Sequence, residues 1–168
     1  MGCDLYAKYY KNKITVFLCW YLIDTENHKS ALEMHHFIRF GTHQSQELVD
    51  ITERARTVVR ESGIRNGLLN LYAQGATAAI MIQENWDESV PLDVVSLLRK
   101  LIPSGVWLHD QQDGNGDAHL KAGLVGPSET IPIIDGQLGL STWQGIFFCE
   151  FDGPRSSRTV VCTVLPMG

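Results

Sequence analysis

The sequence predicts one domain that mixes helices with strands, and three observations carry the prediction. Residues 34–42 alternate between apolar and polar positions, the period of a strand, whereas Leu48, Ile51, Ala55, Val58 and Val59 recur at the period of a helix. Glycine and proline breaks separate these segments throughout the chain. A length of 168 residues with 44% hydrophobic and 20% charged side chains suits one core and leaves no room for two full domains.

The first 30 residues read differently from the rest. Lys8, Lys11 and Lys13 precede the apolar run ITVFLCWYLI at 14–23, an order that resembles a secretory signal. The run is too short to span a bilayer, and DTENHKSA offers no small-x-small cleavage site. Met1-Gly2-Cys3 invites a lipid anchor, but the sixth position holds Tyr6 where myristoylation wants Ser or Thr. The order of preference is an appendage or an upstream translation start, then an extra strand, then a working signal or anchor.

From residue 34 the elements follow in sequence. His35, Phe37, Arg39 and Gly41 share one strand face and His36, Ile38, Phe40 and Thr42 the other, one face being better buried. His35 and His36 therefore point apart and do not converge on an ion. The stretch VDITERARTVVRESGIRNG predicts an amphipathic helix carrying the apolar set from Leu48 to Val59, with Asp50 or Thr52 accepting the first free amides and Gly63 ending it. GLLNLYA (67–73) and ATAAIMIQ (76–83) read as strands around Gln74-Gly75, the second so apolar that a central place is expected. The chain leaves the core at Glu84-Asn85. PLDVVSLLRKL (91–101) predicts a helix with Pro91 in its first turn and Val94, Val95, Leu98 and Leu101 on one face. Pro103-Ser104-Gly105 ends that helix.

A polar loop then feeds a short helix over 118–125, with Asp117 as N-cap and Gly126-Pro127 as the stop. His119 and Lys121 fall near its N-terminus, where free amides and the helix dipole suit an anion. Strands at 130–134, 139–142, 145–151 and 159–165, with turns at Asp135-Gly136 and Asp152-Gly153, close the domain.

Composition excludes some partners. A net charge of -5 and a pI near 5.6 give no general attraction for nucleic acid or an anionic membrane. Cys3, Cys19, Cys149 and Cys162 form no CxxC pair, and the last two lie in apolar runs, so reduced thiols in a cytoplasmic protein are expected.

Candidate chemistry concentrates between residues 109 and 158. Asp113, Asn115 and Asp117 alternate like the first ligands of a calcium loop, but Ala118 stands where a glycine is needed and Leu124 where a glutamate is needed, so an EF-hand is rejected. His109 and His119, with Asp113 or Glu84 as an oxygen donor, are candidate ligands for zinc or manganese. A hydrogen-bonded loop is the competing reading of the same pair. No HExxH, GxSxG or GxxxxGK[ST] motif is present. Arg155 and Arg158 can grip phosphate or carboxylate bidentately, or can pair with Asp152 or Glu150 in a solvated turn. Trp143 and Gln144 offer an aromatic wall and an amide for a planar ligand, or an indole buried in the core.

The stretch GNGDAHLKAGLVGPSETIPIIDGQLGLSTWQGIFFCEFDGPRSSRTVV resembles the signature of the YjbQ family (UPF0047), a group also described as secondary thiamine-phosphate synthases. VDITERARTVVRESGIRNG and ATAAIMIQEN match earlier blocks in the same order, and the resemblance covers roughly residues 34–165. It divides the chain into an N-terminal extension, 1–30, and a family domain, 31–168. It implies an α+β fold with a mixed or antiparallel β-sandwich and flanking helices, a homotrimer, and a polar cleft near a subunit boundary. By motif it implies His109, His119 and Glu84 as catalytic residues, with His109 and His119 also holding a divalent metal (Mg, Mn or Zn). Asn85, Asp113, Asn115, Lys121, Trp143, Gln144, Arg155 and Arg158 would bind a small phosphorylated molecule. One departure stands out. Where the family block begins with a histidine and two threonines, this chain has Gly75, Ala76 and Thr77, and a glycine can neither ligate a metal nor move a proton. Two functions follow: a thiamine-phosphate-synthase-type enzyme impaired at Gly75, or a non-catalytic trimeric module for a small or phosphorylated ligand.

Overall fold

Antiparallel pairing between distant segments builds two sheets. The computed structural model describes residues 35–167. Its strands are β1 (His35–Phe40), β2 (Glu47–Asp50), β3 (Gly67–Ala73), β4 (Ala78–Glu84), β5 (Ser128–Ile134), β6 (Gln137–Leu138), β7 (Gln144–Glu150) and β8 (Arg158–Pro166). The helices are α1 (Thr52–Ser62), α2 (Ser89–Leu101) and α3 (Gly116–Val125), with a 3-10 turn at Leu108–Gln111 before α3. One sheet has the order β1-β8-β3-β5-β6 and the other β2-β7-β4, and each strand pairs antiparallel with its neighbours. The fold is α+β, as the sequence and the resemblance indicated. The signal, anchor and extra-strand readings, with Cys3 and Cys19, lie outside the described residues.

The larger core lies between the sheets. Leu69 and Leu71 of β3, Ile131 and Ile133 of β5, and Val160, Cys162 and Val164 of β8 face Ile80 of β4 and Ile146 and Phe148 of β7. Helix α1 adds Ala55, Val58 and Val59 to the same cluster. Complete burial of each such Leu, Ile or Val side chain is worth about 1.5–3 kcal/mol. Leu98 of α2 and Ala118 and Ala122 of α3 pack on the other face of the small sheet, against Ala79, Cys149 and Phe151. Strand β7 is thus covered on both faces, which explains why GIFFCE (145–150) is buried at every position.

Several sequence expectations change. Leu48 fits the helical period but belongs to β2, paired with Cys149; α1 begins only at Thr52, whose N–H donates to Asp50 Oδ1 at 2.8 Å. Asp50 thus accepts the first free amide as expected, while the N-cap position itself falls on Ile51 and the helix begins one turn later than the apolar period implied. Strand β4 is not central. It is an edge strand whose apolar side chains are buried because cores lie on both faces, and its outer edge is met by Gly126, whose carbonyl accepts the Ile80 N–H at 3.1 Å. No strand forms at 139–142. Instead β6 ends at Leu138, the Gly139 N–H donates to the Pro132 carbonyl, and Ser141 and Gln144 close a turn. The Asp135-Gly136 turn is as expected, both residues taking positive φ (51° and 80°) as a type I′ hairpin requires.

Asn115, not Asp117, is the N-cap of α3. Asp117 lies inside the helix, buried and paired with Lys121. Its carboxylate is spent on that ammonium, so it cannot cap the helix. Helix α2 starts two residues earlier than the sequence implied, at Ser89, whose N–H donates to Asp87 Oδ1. That bond holds the Asp87 carboxyl below its ordinary value. Pro91 sits in the first turn, where a missing N–H costs nothing.

Candidate functional site

Helix α3 and the β7–β8 connection place most of the candidate residues. Asn115 and His119, four residues apart, share one flank of α3. His119 meets His109 of the 3-10 turn edge to face, with ring centroids 4.9 Å apart. His109 Nε2 lies 3.7 Å from Asp113 Oδ2 and, like Asn115 Oδ1, is buried without a hydrogen-bond partner. Asn115 Nδ2 donates to Asp152 Oδ2 at 3.1 Å, and Asp152 also pairs with Arg155. Its main chain is held too, the Asp152 N–H donating to Glu150 Oε1 at 2.9 Å.

Glu150 anchors the wall behind these groups. It is fully buried, and Oε2 accepts from the Thr42 hydroxyl at 3.0 Å and Arg158 Nε at 2.7 Å. Arg158 Nη2 also bonds Glu150 Oε1 and reaches the Thr77 hydroxyl at 3.1 Å. This forked pair explains Gly75: a Cβ added there would lie 2.9 Å from Arg158 Nη1. The guanidinium occupies the start of the space that a side chain at position 75 would use.

The structure therefore brings together His109, His119, Asp113, Asn115, Arg155 and Arg158. It does not bring in the other five. Lys121 lies on the flank of α3 opposite His119, about 200° around the helix at 100° per residue. Its ammonium, 1% exposed, pairs with Asp117 Oδ2 at 2.6 Å. Glu84 and Gln144 are cross-strand partners at one end of the β4–β7 ladder, and Ala78 and Glu150 are partners at the other. Six residues of strand, about 20 Å at the usual rise, separate the two ends. Asn85 lies against Gly145 at that far end, its Cβ 2.7 Å from where a Cβ on Gly145 would sit. Trp143 stands beside it, 52% exposed and edge to face with Trp86 at 5.3 Å. The reading of its indole as part of the core does not hold.

The open helix N-terminus expected for an anion is filled by the protein itself. Asp110 Oδ1 accepts the Gly116 N–H and Oδ2 the Trp107 N–H, both at 2.8 Å. The bond from Trp107 is the main cause that holds the Asp110 carboxyl below its ordinary value. Sequence reasoning missed Asp110 and Thr42, and it placed the pairing of Arg158 with Glu150 in a solvated turn where the structure buries it. An aspartate six residues before a glycine at a helix start was the only signal for the first, and no local signal marks Thr42. The three oxygen-bearing residues of the calcium-like pattern diverge: Asp113 faces His109, Asn115 faces Asp152 and Asp117 faces Lys121.

A two-sheet α+β domain with a polar cluster between a helix N-terminus and an arginine-bearing connection is the class these features define. Comparison with known proteins identifies the group. The family of UPF0047 YjbQ-like proteins matches residues 36–167, and the chain belongs to that family. A UPF0047 protein of Methanocaldococcus jannaschii is 48% identical over 114 residues, 68% of this chain and 82% of the relative. The UPF0047 protein YugU of Bacillus subtilis is 37% identical over 134 residues, 78% and 97% of the two chains. Among solved structures, a YbjQ-like protein of unknown function from Sulfolobus solfataricus is 34% identical, covers 79% of this chain and 96% of its own, and superposes with a TM-score of 0.76. A YjbQ/UPF0047 protein from Clostridium acetobutylicum gives 39% identity, 77% and 99% coverage, and a TM-score of 0.74. Among the described residues no helix is long and apolar enough to cross a membrane.

Proposed function

We propose that this chain is a binding module for a small phosphorylated molecule at the Asn115, His119 and Arg155 cluster, with thiamine-phosphate-synthase-type coupling as a weak side activity. The observation that carries the reading is the filled space beside Gly75. Arg158 Nη1 sits 2.9 Å from the point where a side chain would begin, and the same guanidinium is fastened to buried Glu150. Position 75 thus supplies no imidazole, and catalysis that depends on a third proton carrier is lost there. What remains is suited to holding a phosphate: the half-exposed Arg155 guanidinium and the two imidazoles.

Coupling of a pyrimidine to a thiazole expels pyrophosphate and leaves a cationic carbon, so the protein must stabilise charges as they separate. In this reading Arg155 holds the phosphate of the thiazole, whose ring nitrogen forms the new bond to the carbon that pyrophosphate has left. His109 and His119 serve proton transfer. A resident divalent ion fits poorly. Catalytic zinc takes three converging protein ligands, and although His109, His119 and Asp113 are neighbours, among the described residues no group of three His, Cys, Asp or Glu is placed to hold an ion. No metal-dependent step is assigned. The homotrimer belongs to the same proposal. Phe37, Tyr72 and Leu165 of the five-stranded sheet are each more than two-fifths exposed, which supports burial of that face against another subunit.

The test combines titration of thiazole phosphate with a coupling assay using the pyrimidine pyrophosphate, with and without Mn²⁺. Binding that weakens at least tenfold in Arg155→Ala and slow coupling that Gly75→His does not raise are expected, because the added side chain would meet the fastened Arg158 guanidinium. Coupling that loses nothing when His109 and His119 are both replaced, or thiazole phosphate binding unchanged in Arg155→Ala, overturns the reading.

A further inference from the structure

A second polar cluster lies on the flank of α3 that faces away from His119. Gln46 is its hub: Oε1 accepts from Lys121 Nζ at 3.3 Å and from Arg99 Nε at 3.1 Å, and Nε2 donates to Asp117 Oδ2 at 3.2 Å. Two cations thus face one carboxylate. An ammonium has three donors and a guanidinium five; among the described residues Lys121 uses two and Arg99 one. These groups, with Ser45, Ser104 and Pro103, line a cavity of about 400 Å³. The Ser45 and Ser104 hydroxyls make no hydrogen bond among the described residues, so the wall offers surplus donors and an excess positive charge. An adjoining cleft of about 590 Å³ shares Gln46 and Arg99 and is walled by Leu48, Pro91, Leu92 and Val95.

We propose that these adjoining cavities form a ligand site distinct from the His109–His119 cluster, taking an oxyanion head group at the exposed Arg99 guanidinium, with the buried Lys121 charge behind it, and an apolar body in the cleft. Glu47, Glu88 and Lys100 line the cleft and not the smaller cavity, so that beside the shared Arg99 the cleft is net negative and the cavity, with Lys121 and Asp117, is neutral, which favours the anion at the cavity end. The anion is repelled from the carboxylates and drawn to the cations. Arg99 stands at the junction and serves both chambers.

The experiment titrates the full chain with phenyl phosphate, inorganic phosphate and phenol while amide resonances are followed residue by residue. Lys121 is left intact because its loss strands the buried Asp117 charge; Arg99→Ala and Leu92→Ser, both at exposed positions, are the variants. Phenyl phosphate is expected to shift the amides of Ser45, Gln46 and Ser104 and to bind at least tenfold tighter than either inorganic phosphate or phenol. Arg99→Ala weakens binding of both phosphates at those amides about tenfold, and Leu92→Ser weakens phenyl phosphate alone. Shifts confined to residues around Asn115 and Arg155, or affinities at Gln46 that Arg99→Ala leaves unchanged, overturn the proposal.

Discussion

Replacing Arg158 with methionine tests the pair that organises the site wall. Glu150 is wholly buried and takes four donors: Thr42 Oγ1, the Asp152 N–H, and Nε and Nη2 of Arg158. Arg158→Met removes two of these donors and the only cation paired with the carboxylate among the described residues. Breaking one side of a buried ion pair costs about 3–5 kcal/mol, because the surviving charge stays out of water without compensation. A domain stability of about 5–15 kcal/mol makes that a large share. In urea, with a slope of about 2 kcal/mol/M, the midpoint falls by about 1.5–2.5 M. Adding Glu150→Gln to the same chain removes the stranded charge and leaves an amide whose oxygen accepts from the Asp152 N–H while its NH2 donates to the Thr42 hydroxyl. The double variant is therefore expected to recover more than half of the loss. Unfolding curves followed by circular dichroism, fitted with a shared slope, decide the matter. A single variant within about 1 kcal/mol of the parent, or a double variant as weak as the single one, refutes the reasoning.

Two further outcomes follow from groups with displaced titration. Burial pushes both the Cys149 and Cys162 thiols up to about 12 from 9.0, so native protein is expected to leave them unmodified by iodoacetamide at pH 8 and urea to expose them. The sign for stability is fixed by the same shift: the contribution is complete below pH 9 and declines as pH rises toward 12. At the upper bound it amounts to about 4 kcal/mol for Cys149 at 1.36 kcal/mol per unit, and Cys149→Ala should flatten the alkaline decline. Asp110 moves the other way. Its carboxyl lies below 3.8, so its hold on Trp107 and Gly116 is complete above that pH and is lost as the solution is acidified further. The Gly116 amide resonance should titrate with a midpoint under 3.8, and Asp110→Ala should abolish that titration while fraying the first turn of α3. A midpoint at or above 3.8 sinks this account.

Strands whose faces differ were legible from the sequence, because the period of two is a local property: β1, β3 and β8 fall within a residue or two of where alternation placed them. Leu48 was misread since one apolar residue can satisfy the helical period by coincidence, and only its pairing with Cys149, about a hundred residues away, settles its place. The apolar run of β4 correctly signalled burial on both faces but not its position in the sheet, because a covering helix and a neighbouring strand bury a side chain equally well. The candidate site was legible where a helix carried it. Asn115 and His119 share a flank by spacing alone, and Lys121 misses it by the same arithmetic. Glu84, Asn85, Trp143 and Gln144 lie far away because antiparallel pairing sends the two ends of one polar block to opposite ends of a ladder, a consequence of register that composition cannot reveal.

Helix α3 is held like a beam clamped at both supports. Asp110 grips its first amide, and at its other end Gly126 takes φ 100° and ψ 145°, a conformation open in practice only to glycine, while lending its carbonyl to the edge of β4. A beam fixed at one end tilts when its free end is pushed. One fixed at both ends passes the load to its supports. Side chains along α3 can therefore be exchanged over time without turning Asn115 away from Asp152 or His119 away from His109, so the chemistry of this face can drift in kind while its geometry persists.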